Sequence, residues 1–362
     1  MNTKHRSRRL VGSFTLMLIT AAVLAAVFAS SSSSSTGAHA AKNPNSLTVA
    51  MIVDQSRGDD ATVDGMISGM ANGAKAFGYT KTKFVSVLDP TQYEATLRAL
   101  AQAGYPLIIG AVQGLGPTFD AVAPSFPHTK FVIFFAPPPK NSPNIISYTD
   151  QQQYLGYPAG IAAGLVTKTN KLGYVLGIEY PLIRDAEAGF IAGALSVNPK
   201  IKVYDAVPNT LTDPAVGREV ATSLFNKGID VIASLSVHTS LGIYQYADQL
   251  RKQGQKVWVA SNDVQHLSNY AGDAALVASP FILQTAVYAI MQEFKNGTLT
   301  GGVTHQMTLA NRQIGIFQWG PQVPHKVIAE VVAAEAKVFH GYQVPDHTSI
   351  AKYVKEGILI RG

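Results

Sequence analysis

Short apolar runs alternate with longer stretches of helical periodicity through most of the chain. The runs at 47–53, 83–88, 107–111, 130–135 and 144–148 predict strands. Between them, 61–77, 91–103 and 118–123 predict helices, and Gly78 and Gly104 stand where the first two should stop. The same grammar then restarts, with strands predicted at 171–178, 202–207, 230–235 and 256–260 and helices at 183–196, 213–226 and 240–253. Asp213-Pro214 is a good helix start, an N-cap acid followed by proline in the first turn. Such alternation predicts parallel sheet with helices on both faces. The chain is too long for the usual single core, and two successive units of similar length predict two lobes.

The segment joining these units, 150–199, carries a further pattern. Its first helix repeats small residues at Gly156, Ala159, Gly160, Ala163 and Gly164, and its second at Ala186, Gly189 and Gly193. Small residues at this spacing make one flat helical face and predict close approach of another backbone.

The same segment carries a resemblance. Gly160, Gly164-Leu165, Thr167 to Thr169, Lys171, Gly173, Gly177, Pro181, Gly189-Phe190, Ala192-Gly193 and Asn198-Pro199 stand at offsets similar to those of the basic membrane protein family. Its members are substrate-binding proteins of ABC importers, and a looser likeness runs from about 47 to 317. The resemblance implies an α/β, two-lobed type I periplasmic binding protein, each lobe a mainly parallel sheet with helices on both faces. It implies 44–150 with about 264–300 as the first lobe, 151–263 with about 301–340 as the second, and 341–362 as a C-terminal tail. On this fold 275–296 returns to the first lobe and 313–319 crosses again, with hinges near 150–153, 263–267 and 296–313. The tail region opens with an apolar helix at 327–339.

Residues 1–40 read as a secretory signal peptide: a basic start (Lys4, Arg6, Arg8, Arg9), an apolar run at 10–29, and Ala38-His39-Ala40 as an A-x-A cleavage site. The apolar run is also long enough to span a membrane as an uncleaved anchor, and the cleavage site favours removal. Sec and twin-arginine export both stay open. The chain has 0 cysteines, which excludes disulfides and a lipidated N-terminal cysteine. A periplasmic protein without a lipid anchor is therefore expected. The whole chain carries +6, but removing the four leader cations leaves 25 basic against 23 acidic residues, or +2. No basic cluster remains to argue for nucleic acid.

In open parallel sheets ligands sit beyond the carboxyl ends of the strands, so the residues directly after strands are the candidates. After the first strand these are Asp54, Asp59, Asp60 and Thr62. Nucleoside-binding members of the family carry an Asp-x-Ser-Phe-Asn pattern there; this chain keeps an acid but lacks the stacking Phe and its Asn. Asp59 or Asp60 serves equally well as an N-cap of the next helix. After the third strand, Gln113 and Gly114 offer an amide and close backbone approach. This turn lacks the third glycine of a dinucleotide fingerprint, so no nucleotide cofactor is expected. In the second unit the candidates are Glu179, Tyr180, His238, Thr239, Ser261 and Asp263. Asp263 matches the second acid of a family Asp-x-Asp, whose first has become Ser261. Nucleoside binders carry a ribose-binding lysine where this chain has Phe281. That ring either stacks on a flat ligand or packs a helix start.

No G-x-S-x-G elbow, H-E-x-x-H helix or cysteine nucleophile is present, and no histidine pair has metal-ligand spacing on a helix. The expectation is a non-enzymatic binding protein without cofactor or metal. It is expected to be monomeric, to capture a small planar polar ligand of purine-base type, and to deliver it to an ABC permease in the inner membrane. Alternatives are a nucleoside binder of the same family, or a ligand sensor feeding a chemoreceptor or kinase.

Overall fold

The computed structural model describes residues 47–54, 57, 61–111, 115–136, 142–262, 264–309, 313–315 and 318–362. The expected leader lies outside the described residues, as do the candidates Asp59, Asp60, Gln113, Gly114 and Asp263.

Two sheets organise the chain. The first contains β1 (Thr48–Val53), β2 (Lys81–Ser86), β3 (Leu107–Ala111), β4 (Lys130–Phe134), β5 (Ile145–Asp150) and β11 (Val303–Met307), in the order β11-β5-β4-β3-β1-β2. Every pairing in it is parallel. Its inner strands β1, β3, β4 and β5 bury both faces because alternate residues feed different cores. Val49, Met51 and Val53 of β1 pack with α1 (Ala61–Phe77) and α9 (Leu283–Asn296), whereas Ala50 and Ile52 pack with α2 (Tyr93–Gln102) and α3 (Gly116–Val122).

The second sheet runs β12-β10-β9-β8-β6-β7-β13. It is built from β6 (Lys171–Leu176), β7 (Lys202–Ala206), β8 (Val231–Leu235), β9 (Trp258–Ser261), β10 (Ala275–Ala278), β12 (Gln318–Trp319) and β13 (Leu359–Ile360). Only β12 is antiparallel, against β10. One face is covered by α4 (Gln153–Val166), α5 (Pro181–Val197) and α10 (His325–Phe339). The other is covered by α6 (Pro214–Asn226), α7 (Thr239–Lys252) and α8 (Val264–Tyr270). Asp213 caps α6 as its position predicts, its Oδ1 accepting from the amides of Ala215 at 2.9 Å and Val216 at 3.3 Å.

The small-residue faces of α4 and α5 do bring two backbones together. A Cβ added at Gly156 would lie 1.8 Å from the Ala186 carbonyl oxygen, and one at Gly189 would lie 1.9 Å from that of Gln153. Each helix thus supplies the glycine that admits the other.

The chain crosses between sheets three times, and two crossings differ from expectation. The first is at Asp150–Gln153 as read. The second does not fall at 263–267, because that segment forms α8 and β10 stays paired with β9; the chain leaves only after β10, at Ser279–Leu283. The third comes between β11 and β12. Polar, exposed Thr304, His305 and Gln306 hide β11 from a pattern reading, although it pairs with β5 along its whole length. Residues 341–362 are no loose tail either: α11 (Ile350–Lys355) leads into β13, which pairs with β7.

Candidate functional site

The carboxyl ends of the two sheets face each other. Phe135, directly after β4, meets Phe281, in the segment leaving β10, with ring centroids 4.8 Å apart and planes at 65°. Nearby, α1 of the first lobe touches α8 of the second.

Backbone strain also marks these strand ends. Four described non-glycine residues have positive φ: Phe135 (61°), Asn170 (58°), Asn209 (56°) and Val237 (46°). Asparagine tolerates this region, but an aromatic and above all a β-branched residue do so at a cost. Phe135 follows β4 directly and Val237 follows β8 by two residues, so one strained turn stands at the strand ends of each sheet. Strain of this kind concentrates at ligand clamps.

Of the candidate residues in the first lobe, half-buried Asp54 directly follows β1, and Thr62 lies in the first turn of α1. Burial and then the charge of Asp54 push the Tyr93 phenol up, which places that carboxylate beside the first lobe's outer core.

In the second lobe the candidates divide. His238 directly precedes α7, with its ring 5.6 Å from that of His266, which is itself 6.2 Å from Tyr270. Tyr180 is 45% exposed at the start of α5. Ser261, at the end of β9, accepts from the Tyr244 phenol at 2.5 Å. Phe281 is half-buried against Phe135.

Like Ser261, two further candidates are engaged by the protein itself. The Glu179 carboxylate bonds Arg361 and lies 3.1 Å from Arg184, and its bond to Arg361 holds it below its usual range. Thr239 is fully buried; its hydroxyl donates to the Thr210 carbonyl and accepts from the Asp213 amide, both at 3.1 Å.

Phe135, Val237 and Ser279 also stand just after β4, β8 and β10, and none of them is among the sequence candidates. Phe135 was legible by the rule that picked the others, but the sequence ends β4 one residue late and takes Phe135 for a sheet residue. Nothing in the sequence signals the left-handed backbone of Val237.

The model of the Bmp family, "ABC transporter substrate-binding protein PnrA-like", matches residues 46–348. The chain belongs to this family. Such proteins bind small ligands and serve an ABC permease, and the family is one of binding proteins rather than enzymes. The Bmp-family protein is 25% identical over 362 residues to the CD4+ T-cell-stimulating antigen of Listeria innocua, covering 94% of this chain and 99% of that one. It is 28% identical over 322 residues to the ABC transporter nucleoside-binding protein BmpA of Lactococcus lactis subsp. cremoris, covering 84% and 90%. An ABC transporter solute-binding protein of Aeropyrum pernix K1 shares the fold, with a TM-score of 0.72 at 18% identity over 86% of this chain and 98% of that one. Among the described residues no helix is long and apolar enough to cross a membrane.

Proposed function

We propose that this Bmp-family protein is an exported, monomeric binding component of an ABC importer, periplasmic and not an enzyme. It captures a small planar polar molecule of purine-base type between the strand ends of its two sheets. The observation that carries this reading is the Phe135–Phe281 pair, one ring from each side of the cleft, in the place where the resemblance puts a ribose-binding lysine. Aromatic faces with a few polar groups suit an uncharged flat ligand. Asp54, Thr62, Tyr180, His238 and Ser261 stand at or beside the same strand ends and supply the polar contacts; Asp59, Asp60, Gln113, Gly114 and Asp263 follow the same strands in the sequence. Closure turns on the three crossings and shifts the population toward the form that the permease recognises.

A second reading has its own support. The 28% identical Lactococcus relative is named a nucleoside-binding protein, which favours a nucleoside in the same cleft. Thermal-shift and calorimetric titration against free bases, nucleosides, sugars and amino acids separates the two. Stabilisation by bases with nucleosides inert supports the first; tight binding of adenosine or guanosine with inert bases overturns it.

A further inference from the structure

A small notch opens at the carboxyl ends of β8, β9 and β10. Its volume is about 20 Å³, enough for one water-sized group. Ser234, Ser261 and Ser279 line it, with Leu155, Gly156 and Ala159 of α4. Leu235 at the end of β8 and Asn262 directly after β9, also in its wall, are only partly buried, so the notch is not sealed at the strand ends.

Two of the three hydroxyls already have partners. Ser234 Oγ lies 2.6 Å from Ser236 Oγ and 2.8 Å from Ser240 Oγ, and Ser261 takes the Tyr244 phenol. Ser279 differs. It is 1% exposed, and among the described residues its Oγ has no hydrogen-bond partner. Buried polar groups are nearly always satisfied, and an exception at the floor of a binding cleft points to a group that arrives with the ligand. Among the described residues no charged side chain lines the notch, so a charged group entering it would lose its water without gaining a counter-ion.

We propose that this notch is the second lobe's anchor for one uncharged hydrogen-bonding group of the ligand, an amino, oxo or hydroxyl group held by Ser279 Oγ. The inference rests on the binding-protein reading above and deepens it. Ser279 and Phe281 are two residues apart, so one short segment supplies both the ring for a flat face and the hydroxyl for a polar edge. Ligands carrying only charged groups at that edge are excluded.

The test is calorimetry on the protein and on Ser279→Ala and Ser279→Val, with adenine, guanine, adenosine, glucose, glutamate and adenosine monophosphate as probes. Ser279→Ala removes no internal hydrogen bond, so its ligand-free melting temperature should stay unchanged. The affinity of the bound probe should fall roughly tenfold or more, as expected for one lost buried hydrogen bond. Ser279→Val, which also fills the notch, should weaken it further. If a base binds and both variants bind it equally well, the anchor is wrong and the planar-ligand reading stands. If glucose alone binds and Ser279→Ala weakens it, the anchor stands and the planar reading falls. Binding of glutamate or the monophosphate alone, or of no probe, overturns both.

Discussion

Phe135 donates its backbone amide to the Tyr148 carbonyl at 2.9 Å while its ring meets Phe281 edge to face at 4.8 Å. An aromatic pair contributes about 0.5–1.5 kcal/mol beyond its buried area. A left-handed backbone costs about 1–3 kcal/mol. The pair alone therefore does not hold Phe135 at a φ of 61°, and the sheet bond to Tyr148 shares that task. Stacking of a base on an aromatic side chain is worth about 1–3 kcal/mol. Phe281→Ala should accordingly weaken binding of a base by roughly 5- to 150-fold in calorimetry. Phe281→Leu, which keeps bulk without a ring, should recover little of it; full recovery would reduce Phe281 to packing.

Arg184 and Glu187 predict a pH dependence. Nη1 of Arg184 lies 2.5 Å from Glu187 Oε2 and 2.6 Å from Asp205 Oδ2, and Nη2 lies 3.1 Å from Glu179. Three carboxylates thus share Arg184 and Arg361, and among the described residues the second oxygen of fully buried Glu187 has no partner. Burial pushes the Glu187 carboxyl from 4.5 up to about 7, outweighing the pull of Arg184. A pKa raised on folding stabilises fully below the unfolded value, and that contribution is lost as pH rises through the folded one. Burial raises Asp150 in the same direction. The melting temperature should fall between about pH 4.5 and pH 7, and Glu187→Gln should flatten that slope. An unchanged slope in the variant would assign the dependence elsewhere.

Asp230 gathers the turn after α4. Its carboxylate accepts from the Thr167 hydroxyl and the Lys168 amide, both at 2.6 Å, and from the Thr169 hydroxyl at 3.1 Å and amide at 3.2 Å. Hydrogen bonds to charged groups contribute about 1.5–3 kcal/mol each, and not additively. Asp230→Ala should destabilise the protein by about 3 kcal/mol or more in urea unfolding, with ligand affinity in native buffer unaffected.

The α4–α5 seam makes a contrast between glycines. Gly156→Ala sets a methyl into backbone and should cost about 1–3 kcal/mol or more. Gly65→Ala, in α1, meets nothing closer than 3.8 Å and should stabilise by up to about 1 kcal/mol. Equal melting temperatures for the two variants would show that the seam yields easily.

Where local pattern and tertiary role coincide, the sequence was readable. The strands of the inner sheet positions are apolar on both faces, and the Gly156 and Gly189 faces announce a close helix pair. Elements whose stability comes from partners far along the chain were not readable. Polar β11 is a strand because β5 pairs with it, and β13 because β7 does. The strand ends were legible as the place to look, but the roles of single residues there were not. Glu179 and Thr239 are polar and well placed, yet Arg184, Arg361, Thr210 and Asp213 occupy them. Those partners lie up to 182 positions away, beyond the reach of any local rule.

The two-residue strands at the borders of the second sheet also bear on solubility. An open strand border is a row of unpaired amides and carbonyls that invites a neighbouring molecule to add on. β12 and β13 leave almost none of that row free, and the first sheet ends on β2, where Lys81 and Lys83 are exposed. At the β13 side the Gly362 amide continues the closure, donating to Asp205 Oδ1 at 2.8 Å. Removing residues 358–362 would bare β7 while leaving α5, α6 and α7 in place. That truncated protein should still fold and bind, but self-associate with rising concentration in light scattering, so the last few residues act as a guard against oligomers.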